Sequence, residues 1–123
     1  MKKILIVDDD RSSRIILKKM LEKIGFCVIQ SYAAEHALQT MLCNNDISLV
    51  VTDMVMPEND GRWLIQKMFN NKHLREIPII IMSGAVGVKD IADLLQLGAK
   101  AFVAKPIKED DIKEYVIKYA GAC

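Results

Sequence analysis

The residues best suited to chemistry are three aspartates, a serine and a lysine that closely follow apolar stretches of the chain: Asp8, Asp9, Asp53, Ser83 and Lys105. Singly, each residue has an ordinary interpretation as a turn, cap or surface residue. If the carboxylates lie together, however, they repel each other by roughly 4 kcal/mol per pair at about 4 Å with an effective dielectric near 20. Positive charge must then lie among them. Lys105 supplies one charge, and a divalent cation would supply the rest.

This set of side chains points to phosphoryl transfer assisted by Mg²⁺. The ion needs only a few protein carboxylates, because it keeps several waters and shares its shell with phosphoryl oxygens. Asp53 is the expected nucleophile, while Ser83, Lys105 and the cation are expected to contact one phosphoryl oxygen each. For Asp10 we favour a role as the N-cap of the first helix over a role as a ligand.

The apolar stretches predict the scaffold that brings these residues together. Five runs rich in Ile and Val lack polar alternation, which is typical of strands buried on both faces of a parallel sheet: 4–7, 26–29, 47–51, 77–82 and 101–104. Helical periodicity separates and follows them, so we expect an α/β fold with a doubly wound five-stranded parallel sheet. Ligands bind such sheets at the carboxyl ends of the strands, where the polar residues fall.

Length and composition limit the classes of function. A chain of 123 residues can bury one sizeable core, and a formal net charge of +1 offers no broad field for nucleic acid. We therefore expect no direct nucleic acid binding. No apolar run is long enough for a signal peptide or a membrane span, so we expect a cytoplasmic protein without membrane insertion. Cys27, Cys43 and Cys123 are expected to be free thiols.

Four short motifs contain the candidate residues: Ile6-Val7-Asp8-Asp9, Asp53 with Met56-Pro57 and Asp60-Gly61, Ser83-Gly84, and Lys105-Pro106. Together these motifs resemble the receiver domain of bacterial two-component response regulators, in particular the stand-alone, chemotaxis-regulator-like kind. The resemblance covers essentially the whole chain, and it implies a flavodoxin-like (βα)5 fold with strand order 2-1-3-4-5.

The resemblance implies a metal site and a phosphoacceptor. Asp8 and Asp9 correspond to the acidic pair that serves Mg²⁺. Asp53 corresponds to the phosphoacceptor and to a further metal ligand, and the backbone carbonyl of Val55 to another ligand.

The resemblance also assigns the groups that sense the phosphate. Ser83 is similar to the switch hydroxyl and Lys105 to the phosphate-binding lysine, whose bond to Pro106 is expected to be cis. Gly84 fits a position that is usually small, which leaves access for the phosphodonor. Phe102 occupies the aromatic switch position, where many relatives have tyrosine, and a role as an ordinary core phenylalanine is equally open.

As a function, the resemblance implies a phosphorylation-dependent signalling switch. The phosphoryl group would come from a sensor histidine kinase or a histidine phosphotransfer protein, and output would go through contact with a downstream protein. We expect residues 1–123 to be a single receiver domain without an output domain. It would not be an enzyme in the usual sense, because it would catalyse only its own phosphoryl transfer and slow aspartyl-phosphate hydrolysis.

Three other functions stay open. A haloacid-dehalogenase-like phosphatase would use Asp8 as nucleophile, although the chain is short for that fold and Asp53 is left unexplained. A flavodoxin-like FMN carrier needs a phosphate-cradling loop after the first strand, and here that loop is acidic. A phosphate-independent docking module would not need the complete set of polar residues.

Two residues near the expected phosphate bear on its lifetime. Val55 and Ala85 lie two residues after Asp53 and Ser83, and neither side chain can hold a hydrolytic water. We therefore expect slow self-dephosphorylation.

Overall fold

The computed structural model describes residues 2–84 and 88–121, in which five strands alternate with five helices. The elements are β1 Lys3–Val7, α1 Arg11–Ile24, β2 Cys27–Ser31, α2 Ala34–Cys43, β3 Ile47–Asp53, α3 Gly61–Phe69, β4 Ile79–Ser83, α4 Val88–Leu97, β5 Ala101–Ala104 and α5 Glu109–Ala120.

All strands pair in parallel in one sheet of order β2-β1-β3-β4-β5, so the predicted fold class and strand order are confirmed. The register aligns the carboxyl ends of the strands: Val7 pairs with Thr52, and Ser83 pairs with Ala104. Residues that follow these positions therefore meet at one edge of the sheet.

A hydrophobic core covers each face of the sheet, which explains the uninterrupted apolar runs. On one face, α2, α3 and α4 pack against residues such as Leu5 and Val7. On the other face, α1 and α5 pack against Ile4 and Ile6. Because neighbouring strand residues point to opposite faces, both need apolar side chains.

The start of β2 differs from the prediction. Gly25 adopts the left-handed conformation with φ 113°, as expected of a helix C-cap. The N–H of Phe26 then donates back to the carbonyl of Leu21, so Phe26 completes the end of α1. The strand begins one residue later, at Cys27, and it continues to Ser31 because it pairs with β1 that far.

Other strand boundaries also moved. β4 begins at Ile79 rather than residue 77, because Pro78 has no N–H and Ile77 donates to the carbonyl of Leu74. β1 begins one residue earlier than predicted, at Lys3, and β3 and β4 extend to Asp53 and Ser83.

Cys27 and Cys43 are free thiols, as predicted, whereas Cys123 and Ala85 lie outside the described residues. Across residues 2–84 and 88–121, no helix has the length and apolar character needed to span a membrane.

Candidate functional site

Four of the five strands position the predicted chemical groups at the carboxyl edge of the sheet. Asp8 directly follows β1, Asp53 is the last residue of β3, and Ser83 is the last residue of β4. Lys105 directly follows β5, and its N–H donates to the carbonyl of Ser83 at 3.0 Å.

The ammonium group of Lys105 bridges two buried carboxylates. Its Nζ donates to Oδ2 of Asp8 at 2.9 Å and to Oδ2 of Asp53 at 3.0 Å. Asp8 is 1% exposed and Asp53 is 9% exposed, so both carboxylates have lost most of their contact with water. Buried charges of this kind need a partner of opposite sign, and Lys105 provides it.

Carboxylate oxygens of Asp8, Asp9 and Asp53 lie within 4.8 Å of one another. Three carboxylates against one ammonium leave an excess of negative charge, which a divalent cation would neutralise. An all-oxygen donor set with an exposed side that leaves room for water fits the preference of Mg²⁺. The exposed position of Asp9 provides that side.

The pKa values of the two central groups are shifted. Burial raises the pKa of the Asp53 carboxyl above its ordinary value, and the hydrogen bond from Lys105 opposes this rise without cancelling it. Burial alone would lower the pKa of Lys105, but its hydrogen bonds to Asp8 and Asp53 outweigh burial and raise it. Lys105 therefore stays charged, while Asp53 ionises less readily than a free aspartate.

Every polar group of Asp8 has a partner. Its N–H donates to the carbonyl of Ser31 at 3.1 Å, and its own carbonyl accepts from Nη1 of Arg14 at 2.7 Å. Its Oδ1 accepts from the N–H of Asp10 at 2.9 Å, and its Oδ2 accepts from Lys105. These bonds fix the position of the Asp8 carboxylate.

Asp10 is the N-cap of α1, as predicted. Its Oδ2 accepts from the N–H of Ser13 at 3.1 Å and from the hydroxyl of Ser13 at 2.7 Å. These bonds lower the pKa of Asp10. The side chain is thus committed to the start of the helix.

Gly61 fixes the loop that follows β3. Its N–H donates to the carbonyl of Met54, and an added Cβ would lie 2.9 Å from the carbonyl oxygen of Asp53. The neighbouring Asp60 caps α3 by accepting from the N–H of Trp63 at 3.0 Å. The Asp-Gly pair therefore serves two purposes, a helix cap and a close backbone approach beneath Asp53.

Val55 and Gly84 also lie at this edge, whereas Phe102 lies two residues before the end of β5. Val55 is 67% exposed, and its N–H donates to Oδ1 of Asp53 at 3.4 Å. An added Cβ at Gly84 would make only an ordinary contact of 3.7 Å with Cβ of Lys105. Phe102 is half-buried and packs against the core shared with α2, α3 and α4. The Lys105–Pro106 bond is cis, as predicted.

Comparison with known proteins identifies the family. The model of the "Response regulator receiver domain" family matches residues 4–117. The chain belongs to the response regulator receiver domain family. Receiver domains are modules of two-component signalling, which agrees with the resemblance noted in the sequence.

Individual relatives support the same conclusion. The receiver domain is 30% identical over 113 residues to the chemotaxis protein CheY1 of Helicobacter pylori strain 26695, covering 91% of each chain. It is 33% identical over 112 residues to the two-component response regulator-like protein PRR73 of Oryza sativa, which covers 90% of this chain but only 15% of that protein. The receiver domain thus spans a small part of the rice protein PRR73.

Solved structures agree with the fold. A response regulator receiver protein from Pseudomonas putida matches with a TM-score of 0.89 and 28% identity, covering 95% of this chain and 96% of the other.

Two features of this receiver domain were missed in the sequence. Arg14 was not singled out, although a long basic side chain six residues after Asp8 could reach back to the end of β1. The pairing of Ser31 with His36 was not predicted either. Ser31 is 1% exposed, and its hydroxyl is 2.8 Å from Nδ1 of the half-buried His36.

Proposed function

We propose that this receiver domain accepts a phosphoryl group on Asp53 in a Mg²⁺-dependent reaction and acts as a signalling switch. The observation that carries the proposal is the bridge of Lys105 between Asp8 and Asp53. An ammonium held between two buried carboxylates, beside a third, is suited to neutralising the oxygens of an incoming phosphoryl group.

The availability of the carboxylate oxygens favours Asp53 as the nucleophile. Oδ1 of Asp8 accepts a 2.9 Å bond and Oδ2 accepts another, whereas Oδ1 of Asp53 accepts, from residues 2–84 and 88–121, only the long 3.4 Å bond from Val55. A nucleophile needs an oxygen that can leave its hydrogen bond at small cost. This contrast weighs against the phosphatase alternative, in which Asp8 would attack.

In the proposed reaction, one Asp53 oxygen forms a bond to phosphorus while the bond from phosphorus to the donor breaks. Lys105 shifts from the carboxylates to one phosphoryl oxygen, and Ser83 is proposed to hydrogen-bond a second. Asp8, Asp9 and Asp53, with the carbonyl of Val55, would hold the cation. Bound there, Mg²⁺ would neutralise charge on the carboxylates and the phosphoryl group.

The switch is proposed to act on the surface formed by α4, β5 and α5. Ser83 would be drawn toward the phosphate, and Phe102 would move inward. Gly84 would leave room for the phosphodonor. The phosphate can shift the equilibrium between the resting and the switched conformation only by the difference in its affinity for these two conformations. Unchanged amide chemical shifts at 90–105 upon addition of beryllofluoride, a phosphoryl mimic, would refute the switch.

We further propose that a sensor histidine kinase or a histidine phosphotransfer protein supplies the phosphoryl group in the cytoplasm. Output would go through protein contact rather than nucleic acid, since the net charge of +1 is too small to attract a polyanion.

The test is intact-mass analysis after incubation with acetyl phosphate and Mg²⁺, followed by mapping of the modified residue. We expect one added phosphoryl group on the wild type and on Asp110→Asn, a matched control on the exposed side of α5. Asp53→Asn should not be labelled, and omission of Mg²⁺ should prevent labelling. Label that persists on Asp53→Asn but vanishes in Asp8→Asn would overturn the proposal in favour of the phosphatase alternative.

A further inference from the structure

A second cavity lies between the N-terminal half of α1 and the end of β2, separate from the groove that contains Lys105. Its volume is about 310 Å³, near the lower limit of roughly 300 Å³ for small-molecule pockets. Residues of α1 and of the end of β2 line it: Arg11, Arg14, Ile15, Gln30, Ser31 and Tyr32.

Two guanidinium groups give this cavity its charge. Arg11 and Arg14 are three residues apart on α1, so they lie on neighbouring positions of one helix face and repel each other. Within residues 2–84 and 88–121, neither forms an ion pair with a carboxylate. Arg14 uses one N–H for the carbonyl of Asp8, and four more donors remain on its guanidinium.

The opposite wall provides an aromatic surface. Tyr32 is 60% exposed, and its ring stacks on His36 with centroids 4.6 Å apart. Ile15, 36% exposed, adds an apolar surface beside the two arginines. A ligand suited to this cavity therefore carries both a negative group and a flat apolar part.

We propose that this cavity binds a small organic anion, with a phosphate or carboxylate group held by Arg11 and Arg14 and a flat apolar body against Tyr32. The site is coupled through the backbone of Asp8 to the acidic cluster, which consists of Asp8, Asp9 and Asp53. The N–H of Asp8 donates to Ser31 and its carbonyl accepts from Arg14, and both partners line the cavity. A ligand that shifts Arg14 or Ser31 thus also shifts Asp8.

The test follows amide chemical shifts of the wild type, without divalent cations, during titration with three ligands. Phenylphosphonate carries an unreactive phosphorus–carbon bond, so it cannot phosphorylate Asp53. Benzoate carries the carboxylate, and benzamide is the neutral control. We expect saturable shifts at 11–15 and 30–32 with phenylphosphonate, benzoate or both, a shift of the Asp8 amide, and no saturable shifts with benzamide.

Substitutions decide whether the arginines hold the anion. Arg11→Gln should weaken binding about tenfold, because a charge-assisted hydrogen bond is lost. Arg11 is exposed and its side chain has no hydrogen bond in the described part of the chain, so the fold should be unaffected. Lys19→Gln removes the same charge from an exposed α1 position outside the cavity and should change binding by less than about twofold.

Equal affinity of the wild type and Arg11→Gln, saturable binding of benzamide, or shifts centred on Lys105 would overturn the proposed site. A stationary Asp8 amide at saturation would overturn the coupling. None of these measurements requires phosphorylation of Asp53, so failure of this proposal and failure of the proposed function are distinguishable.

Discussion

Replacing Lys105 by methionine should destabilise the receiver domain strongly in the absence of Mg²⁺. Methionine keeps most of the aliphatic stem but removes the ammonium that bridges Asp8 and Asp53. Oxygens of the acidic cluster lie within 4.8 Å of one another, and two unit charges at that separation repel by about 3 kcal/mol at an effective dielectric near 20. Without the ammonium this repulsion is no longer offset, and it equals a large part of the roughly 5–15 kcal/mol that stabilises a domain.

Urea unfolding at pH 8 measures this loss, with Lys113→Met on the exposed side of α5 as the matched control. In the Asp53→Asn background the cost of Lys105→Met should fall by about 2 kcal/mol or more, because one of the two repelling charges is absent. Excess Mg²⁺ should also reduce the cost, and Lys105→Met should bind Mg²⁺ more tightly than the wild type. If Lys105→Met lowers the free energy of unfolding equally in the wild type and in the Asp53→Asn background, the reasoning is refuted.

Three further predictions concern Asp53 and its neighbours. Burial raises the pKa of Asp53 above the unfolded value of about 3.9, so the folded state binds the proton more tightly, and the free energy of unfolding falls as pH rises from the unfolded to the folded pKa. Asp53→Asn should lack this fall. Urea unfolding from pH 3.5 to 7 without Mg²⁺ measures it, and the same pH dependence of the free energy of unfolding in both proteins would contradict the prediction. Gly61→Ala should lower the free energy of unfolding by about 1–3 kcal/mol in thermal or urea unfolding, because its Cβ would lie 2.9 Å from the carbonyl oxygen of Asp53. Gly84→Ala should leave it nearly unchanged, because its Cβ would make only a 3.7 Å contact. Val55→Asn should speed decay of the phosphorylated protein several-fold relative to Val55→Ala, because an amide can hold the attacking water, and equal decay would show that this side chain does not limit hydrolysis.

The strands were predictable because a strand buried on both faces requires apolar residues at every position. Residues 4–7 and 101–104 satisfy this requirement: β5 has the predicted bounds, and β1 begins only one residue earlier, at Lys3. The ends of the other strands depended on tertiary pairing. Ser31 belongs to β2 because it pairs with Val7, and nothing in its own side chain indicates a strand.

The acidic cluster was predictable for a similar reason, since the ends of parallel strands meet at one edge. Asp8, Asp53 and Lys105 were each identified from the apolar run that precedes them. The contact of Arg14 with the carbonyl of Asp8 was not predicted, because an arginine on a helix is usually a solvated residue. Gly61 is part of a recognisable motif, but its close approach to the backbone of Asp53 depends on the path of the folded chain and leaves no signal in the sequence.

The geometry of Lys105 also explains how the resting receiver domain can keep the proposed nucleophile, Asp53, in a buried, crowded position. The ammonium compensates the same two carboxylates that a cation would compensate, so the lysine and a cation would compete for Asp8 and Asp53. The proposed reaction therefore requires Lys105 to move before it can hold a phosphoryl oxygen. A lysine suits this role better than an arginine, because its flexible stem can move a single charge between neighbouring acceptors, whereas the planar guanidinium prefers one fixed pairing.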